Sequence, residues 1–86
     1  MRATAVDAPA RFLRKRSFAI AGHRTSVALE AEFWSVLEQE ARRTRRTLSA
    51  LVAQVDATRN SRPLASALRL AALAAANRAT IAPALK

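Results

Sequence analysis

A short alternating segment that leads directly into two amphipathic helices constrains the fold of this chain more than any other feature. The segment is residues 24–29, and in a β-strand its successive side chains point to opposite faces. One face is suited to burial against helices and carries Thr25, Val27 and Leu29; the opposite face points outward and carries Arg24, Ser26 and Ala28. The chain shows no convincing second strand, so we expect this strand to pair with its counterpart in a second copy.

Two helical patterns follow the strand. From Glu30 onward Phe33, Leu37 and Ala41 fall on one helical stripe, with Trp34 beside it. Thr47 then offers a hydroxyl oxygen as an N-cap, and a second stripe begins with spacing i, i+3, i+4 and i+7. Together the strand and the two stripes predict a dimer core made of Val27, Leu29, Phe33, Trp34, Leu37, Leu51, Val52 and Val55.

The flanking segments divide the chain into four parts. Residues 1–16 have a basic cluster and little apolar periodicity, which predicts a flexible basic arm. Residues 17–60 contain the strand and the two helices. Residues 61–78 begin near Pro63 and predict a third, alanine-rich helix, and residues 79–86 predict a frayed tail.

Charge and composition indicate the kind of partner. The chain has 86 residues, with 15 Lys and Arg against 6 Asp and Glu, a net charge of +9 that favours a polyanion such as nucleic acid. It has no cysteine, one histidine, no clustered carboxylates and no nucleophile or phosphate-loop motif, so we expect no enzyme, no metal site and no cofactor. No apolar run approaches the roughly 20 residues that span a bilayer, so we expect a cytoplasmic protein that uses no membrane. A nucleic-acid partner would make it nucleoid-associated.

Several separate segments resemble one known family. They are RSF at residues 16–18, GHRTSV at 22–27, FW at 33–34, LSALV at 48–52 and SALRL at 66–70. In this order they resemble the ribbon-helix-helix proteins, the Arc and MetJ class, and within it the small bacterial ribbon-helix-helix domain proteins. The resemblance implies a mostly α fold with one short strand. It implies an intertwined homodimer with an intermolecular antiparallel β-ribbon, and a third, C-terminal helix.

The resemblance also implies binding of double-stranded DNA. Arg24, Ser26 and Ala28 match the positions that face the bases in the major groove, where an arginine pairs with guanine and an alanine touches a thymine methyl. The start of the second helix matches the segment that holds a phosphate. The phosphate contacts expected from this are made by Thr47, Leu48, Ser49, Arg45, Arg46, Arg14, Lys15 and Arg16.

Three departures from the family pattern have structural consequences. Glu40 stands where relatives usually carry an apolar residue, and Arg45 stands where a helix-ending glycine is common. Arg45 is therefore expected to adopt a left-handed conformation at some cost in strain. Ala71 and Ala72 replace bulkier apolar residues in the third helix, which reduces the apolar area that this helix can bury.

The sequence leaves three functional interpretations open. The leading interpretation is a homodimeric, sequence-specific transcriptional regulator. The alternative is an antitoxin-like or adaptor protein whose third helix and tail bind another protein, and a third is a binder of RNA or anionic membranes through the basic arm. Arg24 also suits an exposed strand charge that prevents edge aggregation. Phe33 and Trp34 suit core packing better than base stacking.

Overall fold

Two strands and three helices make up the described part of the chain. The computed structural model describes the backbone of residues 12–84 and the side chains of residues 12–78. The elements are β1 (Leu13–Ile20), β2 (His23–Glu30), α1 (Ala31–Arg43), α2 (Leu48–Thr58) and α3 (Leu64–Ala84). The predicted order of strand, helix, capped turn, helix and third helix is confirmed, and a strand that the sequence did not predict precedes it.

β1 and β2 form an antiparallel hairpin within a single chain. Their register runs from Ile20 opposite His23 at the turn to Leu13 opposite Glu30 at the other end. Both turn residues have positive φ, 51° at Ala21 and 83° at Gly22, as tight two-residue hairpin turns require. The expectation of a single strand without an intrachain partner is thus corrected: Ala21 and Gly22 make the turn that brings the two strands together.

β1 and α3 extend into the two terminal segments that the sequence predicted as an arm and a tail. The predicted basic arm, residues 1–16, overlaps β1 from Leu13 onward, and residues 1–11 lie outside the described residues. The backbone of α3 continues to Ala84, beyond the predicted start of the tail at residue 79. Arg14, Lys15 and Arg16 therefore belong to a strand, which assigns each side chain to one face of the hairpin.

The core lies between the inner face of the hairpin and the three helices. Of the eight predicted core residues, six are buried, and Phe33 and Val55 are half-buried and pack against them. Leu68 and Ala72 of α3 complete this core against α1 and α2, with 0% and 1% of their surface exposed. These residues, predicted as a dimer core, are thus buried within one chain. The small side chain of Ala72 lets α3 lie close to its neighbours.

Trp34 anchors the first strand to α1. Its ring lies 5.9 Å from the ring of Phe18, and its indole Nε1 donates a hydrogen bond of 2.7 Å to the carbonyl of Arg14. The guanidinium of Arg16 lies 5.0 Å above the indole ring and pairs with Glu38 on α1 at 2.5 Å. Because the indole fills the core and bonds to backbone, this one side chain fixes β1 against the helix.

The turn between α1 and α2 is closed by hydrogen bonds at both helix ends. The amide of Arg46 donates to the carbonyl of Ala41 at 2.9 Å and that of Arg45 donates to Arg42 at 3.1 Å, the pattern of a Schellman motif. Arg45 has φ of +59°, which confirms the predicted left-handed conformation. Thr47 is the N-cap of α2, because its hydroxyl oxygen accepts a 3.0 Å hydrogen bond from the amide of Ala50.

Glu40 is a buried carboxylate at the junction of α1 and α3. Its side chain is 9% exposed and accepts two hydrogen bonds from Arg43, at 3.0 and 2.7 Å, and one from Arg78 of α3, at 2.9 Å. The hydrogen bonds from Arg43 contribute most to lowering the pKa of Glu40 from 4.5 to about 2, and Arg78 lowers it further against the opposing effect of burial. A charged residue is tolerated here because both guanidinium groups reach it.

We expect Glu40 to make stability dependent on acid pH. Since its pKa is lower in the folded chain, the stabilisation is complete above about pH 4.5 and is lost as the pH falls towards 2. Both arginines are largely exposed, so screening limits the effect to about 1 kcal/mol. Urea unfolding followed by Trp34 fluorescence should show Glu40→Gln less stable than wild type at pH 7 and equal to it near pH 2. If the difference in stability between Glu40→Gln and wild type stays constant with pH, the effect arises from packing and not from charge.

Candidate nucleic-acid interface

The outer face of the hairpin is the surface on which the base-contacting residues were predicted. Within β2, Val27 and Leu29 are buried, Arg24 and Ser26 are exposed, and Ala28 is half-buried, so the alternation expected from the sequence is confirmed. The register places three residues of β1 beside them on the same face. This outer face therefore consists of Lys15, Ser17, Ala19, Arg24, Ser26 and Ala28.

The outer face is low and flat between two long basic side chains. Ser17 and Ser26 lie opposite each other at its centre, and their hydroxyl oxygens are 2.8 Å apart and share a hydrogen bond. Arg24 lies opposite Ala19 near the turn, and Lys15 lies opposite Ala28 near the start of α1. Each basic residue has a small neighbour across the strand, so its charged group is free of steric obstruction on that side. Within residues 12–78 neither makes an ion pair.

The register also determines where the backbone groups of β2 point. Ile20 and His23 flank a two-residue turn, so they exchange both backbone hydrogen bonds, and such pairs alternate along an antiparallel ladder. Ser17 and Ser26 then form a pair without mutual backbone bonds, in which side chains come closer, in agreement with their 2.8 Å contact. The amides and carbonyls of Arg24, Ser26 and Ala28 consequently point away from β1, towards the outer edge of β2.

The predicted phosphate contacts fall into two groups. One is the exposed turn before α2, with Arg45, the capping Thr47 and Ser49, while Leu48 beside them packs against the core. The first amides of α2 have no acceptor within the helix and form a partial positive charge. Arg46 in this turn donates hydrogen bonds to Gln54 and, at 3.1 Å, to the hydroxyl of Thr44. Its guanidinium is therefore already bound to the protein.

The second group is the basic cluster of β1, which the hairpin divides between its two faces. Lys15 stands on the outer face with Arg24. Arg16 stands on the inner face, where Glu38 and the Trp34 ring hold its guanidinium. Arg14 is exposed, and its carbonyl accepts the Trp34 hydrogen bond. The structure thus places Lys15 beside the candidate base-contacting residues and directs Arg16 away from them.

Sequence reasoning missed two members of the outer face, Ser17 and Ala19. Phe18 and Ile20 alternate with them and are buried at 9% and 6% exposure, and this alternation ends at Gly22. A two-residue gap with glycine between two alternating segments is a hairpin signal. That signal is present in the sequence, but the prediction of a basic arm over residues 1–16 left residues 17–20 without enough preceding chain for a strand.

The described residues contain no group of three or more histidine or acidic side chains arranged to hold a metal ion. Within the same part of the chain, no helix combines the length and apolar character needed to cross a membrane, although α3 has 21 residues.

The comparison with protein families agrees with the observed architecture. A model of the ribbon-helix-helix domain matches residues 13–76, most of the chain, from the first residue of β1 into α3. The chain therefore belongs to the ribbon-helix-helix domain family. The predicted ribbon-helix-helix fold with a third helix is confirmed, with two strands in the chain where one was expected. Members of this family are generally non-enzymatic DNA-binding regulators or antitoxins. No curated protein and no solved structure matched the chain significantly.

Proposed function

We propose that this protein is a homodimeric, sequence-specific DNA-binding protein and acts as a transcriptional regulator. The observation that supports this most directly is the outer face of the hairpin, where Arg24 and Ser26 are exposed on a flat surface of small residues. A two-stranded ribbon fits the width of the major groove, and the net charge of +9 favours approach to DNA. Binding to DNA would place the protein at the nucleoid.

The intermolecular ribbon of this proposal uses the outer edge of β2. The amides and carbonyls of Arg24, Ser26 and Ala28 point to this edge, and the hairpin leaves it unpaired within the described chain. Antiparallel pairing with the same edge of a second copy gives a four-stranded sheet, in which the two outer faces lie side by side. Such a sheet is more stable than an isolated pair of strands, so the intrachain hairpin and the intermolecular ribbon are compatible.

Each residue of the interface has a role that follows from its chemistry. Arg24 donates two hydrogen bonds to the O6 and N7 atoms of a guanine, Ser26 donates or accepts, and Ala28 contacts a thymine methyl. Phosphates are bound by Lys15 and by the turn before α2, through Arg45, Thr47 and the amides of Leu48 and Ser49. Affinity then comes mainly from phosphates and falls with salt, and sequence preference comes mainly from Arg24.

Replacement of Arg24 by alanine tests the proposed base contact. Sequences selected by the wild-type protein from a random duplex pool, at fixed salt, supply the specific probe. We expect Arg24→Ala to weaken binding to this probe by about 1–3 kcal/mol while leaving binding to unrelated DNA nearly unchanged. Fluorescence anisotropy titrations at several salt concentrations measure both quantities.

A matched control separates a base contact from a general loss of charge. Arg42→Ala removes the same side chain from an exposed position at the end of α1. It should weaken binding to both kinds of DNA by a similar small factor. An unchanged sequence preference in Arg24→Ala would exclude Arg24 as a base-reading residue, and a wild-type pool without enrichment would contradict sequence-specific binding altogether.

A further inference from the structure

The exposed side of α3 carries apolar surface that the chain itself does not cover. Leu70 is 47% exposed and Leu73 is 56% exposed, and among the described residues only Phe12 is a comparably exposed large apolar side chain. The two leucines are three residues apart, so they lie on one side of the helix. The opposite side, with Leu68 and Ala72, is fully packed in the core. The leucines therefore contribute little to the packing of α3 and leave an apolar strip at the surface.

This strip continues into an open groove between α2 and α3. The groove has a volume of about 750 Å³. Its lining combines an apolar part, formed by Val55, Pro63, Ala67, Leu70 and Ala71, with a polar part, formed by Thr58, Arg59, Asn60, Ser61 and Arg62. Along α3 the surface extends from Pro63 to Leu73, about 15 Å of helix. That length accommodates about three turns of a second helix packed alongside.

The charge around the groove is positive. Arg62 is exposed, and its guanidinium makes one long contact of 3.5 Å to the hydroxyl of Ser66. Arg59 pairs with Asp56 at 2.7 Å but remains about one third exposed. The whole of α3, Leu64–Ala84, contains arginines and no acidic residue. A partner that buries the leucines therefore gains further if it carries carboxylates along the edge of its apolar face.

A second copy of this chain does not offer that complement. Four of its five described acidic residues, Glu30, Glu38, Glu40 and Asp56, are already in ion pairs. Two such surfaces placed against each other would bring arginine against arginine on chains that each carry a net charge of +9. The charge pattern thus favours a different protein as the partner.

We propose that the groove and the leucine strip bind an acidic amphipathic helix of another protein. Apolar side chains of that helix, spaced at i, i+3 or i+4, and i+7, would pack on Leu70, Leu73 and the apolar residues that line the groove. Its Asp and Glu residues would face Arg59 and Arg62. This surface is separate from the outer face of the hairpin, and the proposal does not depend on DNA binding.

Point variants of the full chain test this proposal better than truncation, because α3 contributes Leu68 and Ala72 to the core. Wild-type protein is used to select from a displayed library of random 16-residue peptides, with Leu70→Asp protein as the counter-selection. We expect enrichment of peptides that combine helical apolar spacing with Asp and Glu. Synthetic copies should bind wild type at least 10-fold more tightly than Leu70→Asp or Arg62→Glu. The charge-matched control Arg42→Glu, at the exposed end of α1, should change this affinity less than 2-fold.

Four results would overturn the proposal. The first is no enrichment over the counter-selection, and the second is an equal loss of affinity in Arg42→Glu and Arg62→Glu, which would indicate unspecific charge attraction. The third is conversion of a dimer to a monomer by Leu70→Asp in sedimentation equilibrium, which would assign the surface to a second copy. The fourth is Leu70-dependent binding to phosphatidylserine vesicles without peptide binding, which would assign it to a membrane. Unaltered thermal unfolding of each variant confirms that the fold is intact.

Discussion

Replacing Trp34 by alanine is expected to lower the free energy of unfolding by about 3–5 kcal/mol, the range for truncating a large buried aromatic residue. The side chain is 2% exposed, contacts Phe18, supports Arg16 and donates a hydrogen bond to the carbonyl of Arg14. Its removal leaves a cavity and detaches β1 from α1. Because Trp34 is the only tryptophan, urea unfolding of the variant is followed by far-ultraviolet circular dichroism.

Two neighbouring variants make this prediction specific. Phe33→Ala changes the adjacent aromatic residue, which is only half-buried. It should lower the free energy of unfolding by about 1–2 kcal/mol, because it removes less buried apolar area than Trp34→Ala does. Trp34→Phe keeps an aromatic ring and loses the Nε1 hydrogen bond, so it should cost about 1–3 kcal/mol and remain folded if the alanine variant does not. Equal losses for Trp34→Ala and Phe33→Ala would contradict the central position of Trp34 in the core.

Ser26→Pro is expected to dissociate the proposed homodimer while leaving the hairpin intact. The amide of Ser26 points to the outer edge of β2, so proline removes a donor from the proposed intermolecular ladder and inserts its ring there. No backbone bond to β1 is broken, and the hydroxyl contact with Ser17 is lost in this variant and in its control alike. Two-fold symmetry places the change on both sides of the same interface. We expect the dissociation constant of the dimer to rise at least about 100-fold, equivalent to roughly 3 kcal/mol. Sedimentation equilibrium over a range of protein concentrations measures this directly.

The opposite member of the same cross-strand pair supplies the control. Ser17→Pro introduces the same residue into β1, where the amide points to the outer edge of that strand. This variant should fold and dimerise like the wild type. Monomers formed by Ser17→Pro and not by Ser26→Pro would move the interface to β1, and dimers in both would exclude a ribbon made by pairing of these edges.

Part of the candidate interface could be predicted because it depends on short stretches of chain. The side chains of Arg24 and Ser26 are exposed as their alternation with Val27 required, since the faces of a strand follow from the two-residue repeat alone. The capping role of Thr47 was likewise predictable from the chemistry of helix ends, and the left-handed Arg45 was predictable from the resemblance, because relatives commonly carry a helix-ending glycine there. In each case the decisive interaction is with a residue no more than five positions away.

Other features depend on residues that are distant in sequence. Arg16 looked like one of several equivalent arm residues, and only the packing of β1 on α1 turned its guanidinium towards Glu38 and Trp34. Glu40 departs from the family pattern, and its buried carboxylate is held both by the nearby Arg43 and by Arg78, which lies 38 residues further along the chain. Such pairs are formed by the chain as a whole, so no local period or spacing in the sequence reveals them.

Strand β2 separates what the sequence determines from what only the tertiary structure determines. Its half-buried character and its entry into α1 follow from the order of its own residues, because side-chain alternation and helix periodicity are properties of the local backbone. Its pairing with β1 follows from that order only in part. The two residues Ala21 and Gly22 permit a hairpin turn, which is a local signal, but the burial of Phe18 against Trp34 that holds β1 in place is established only when the tertiary structure forms.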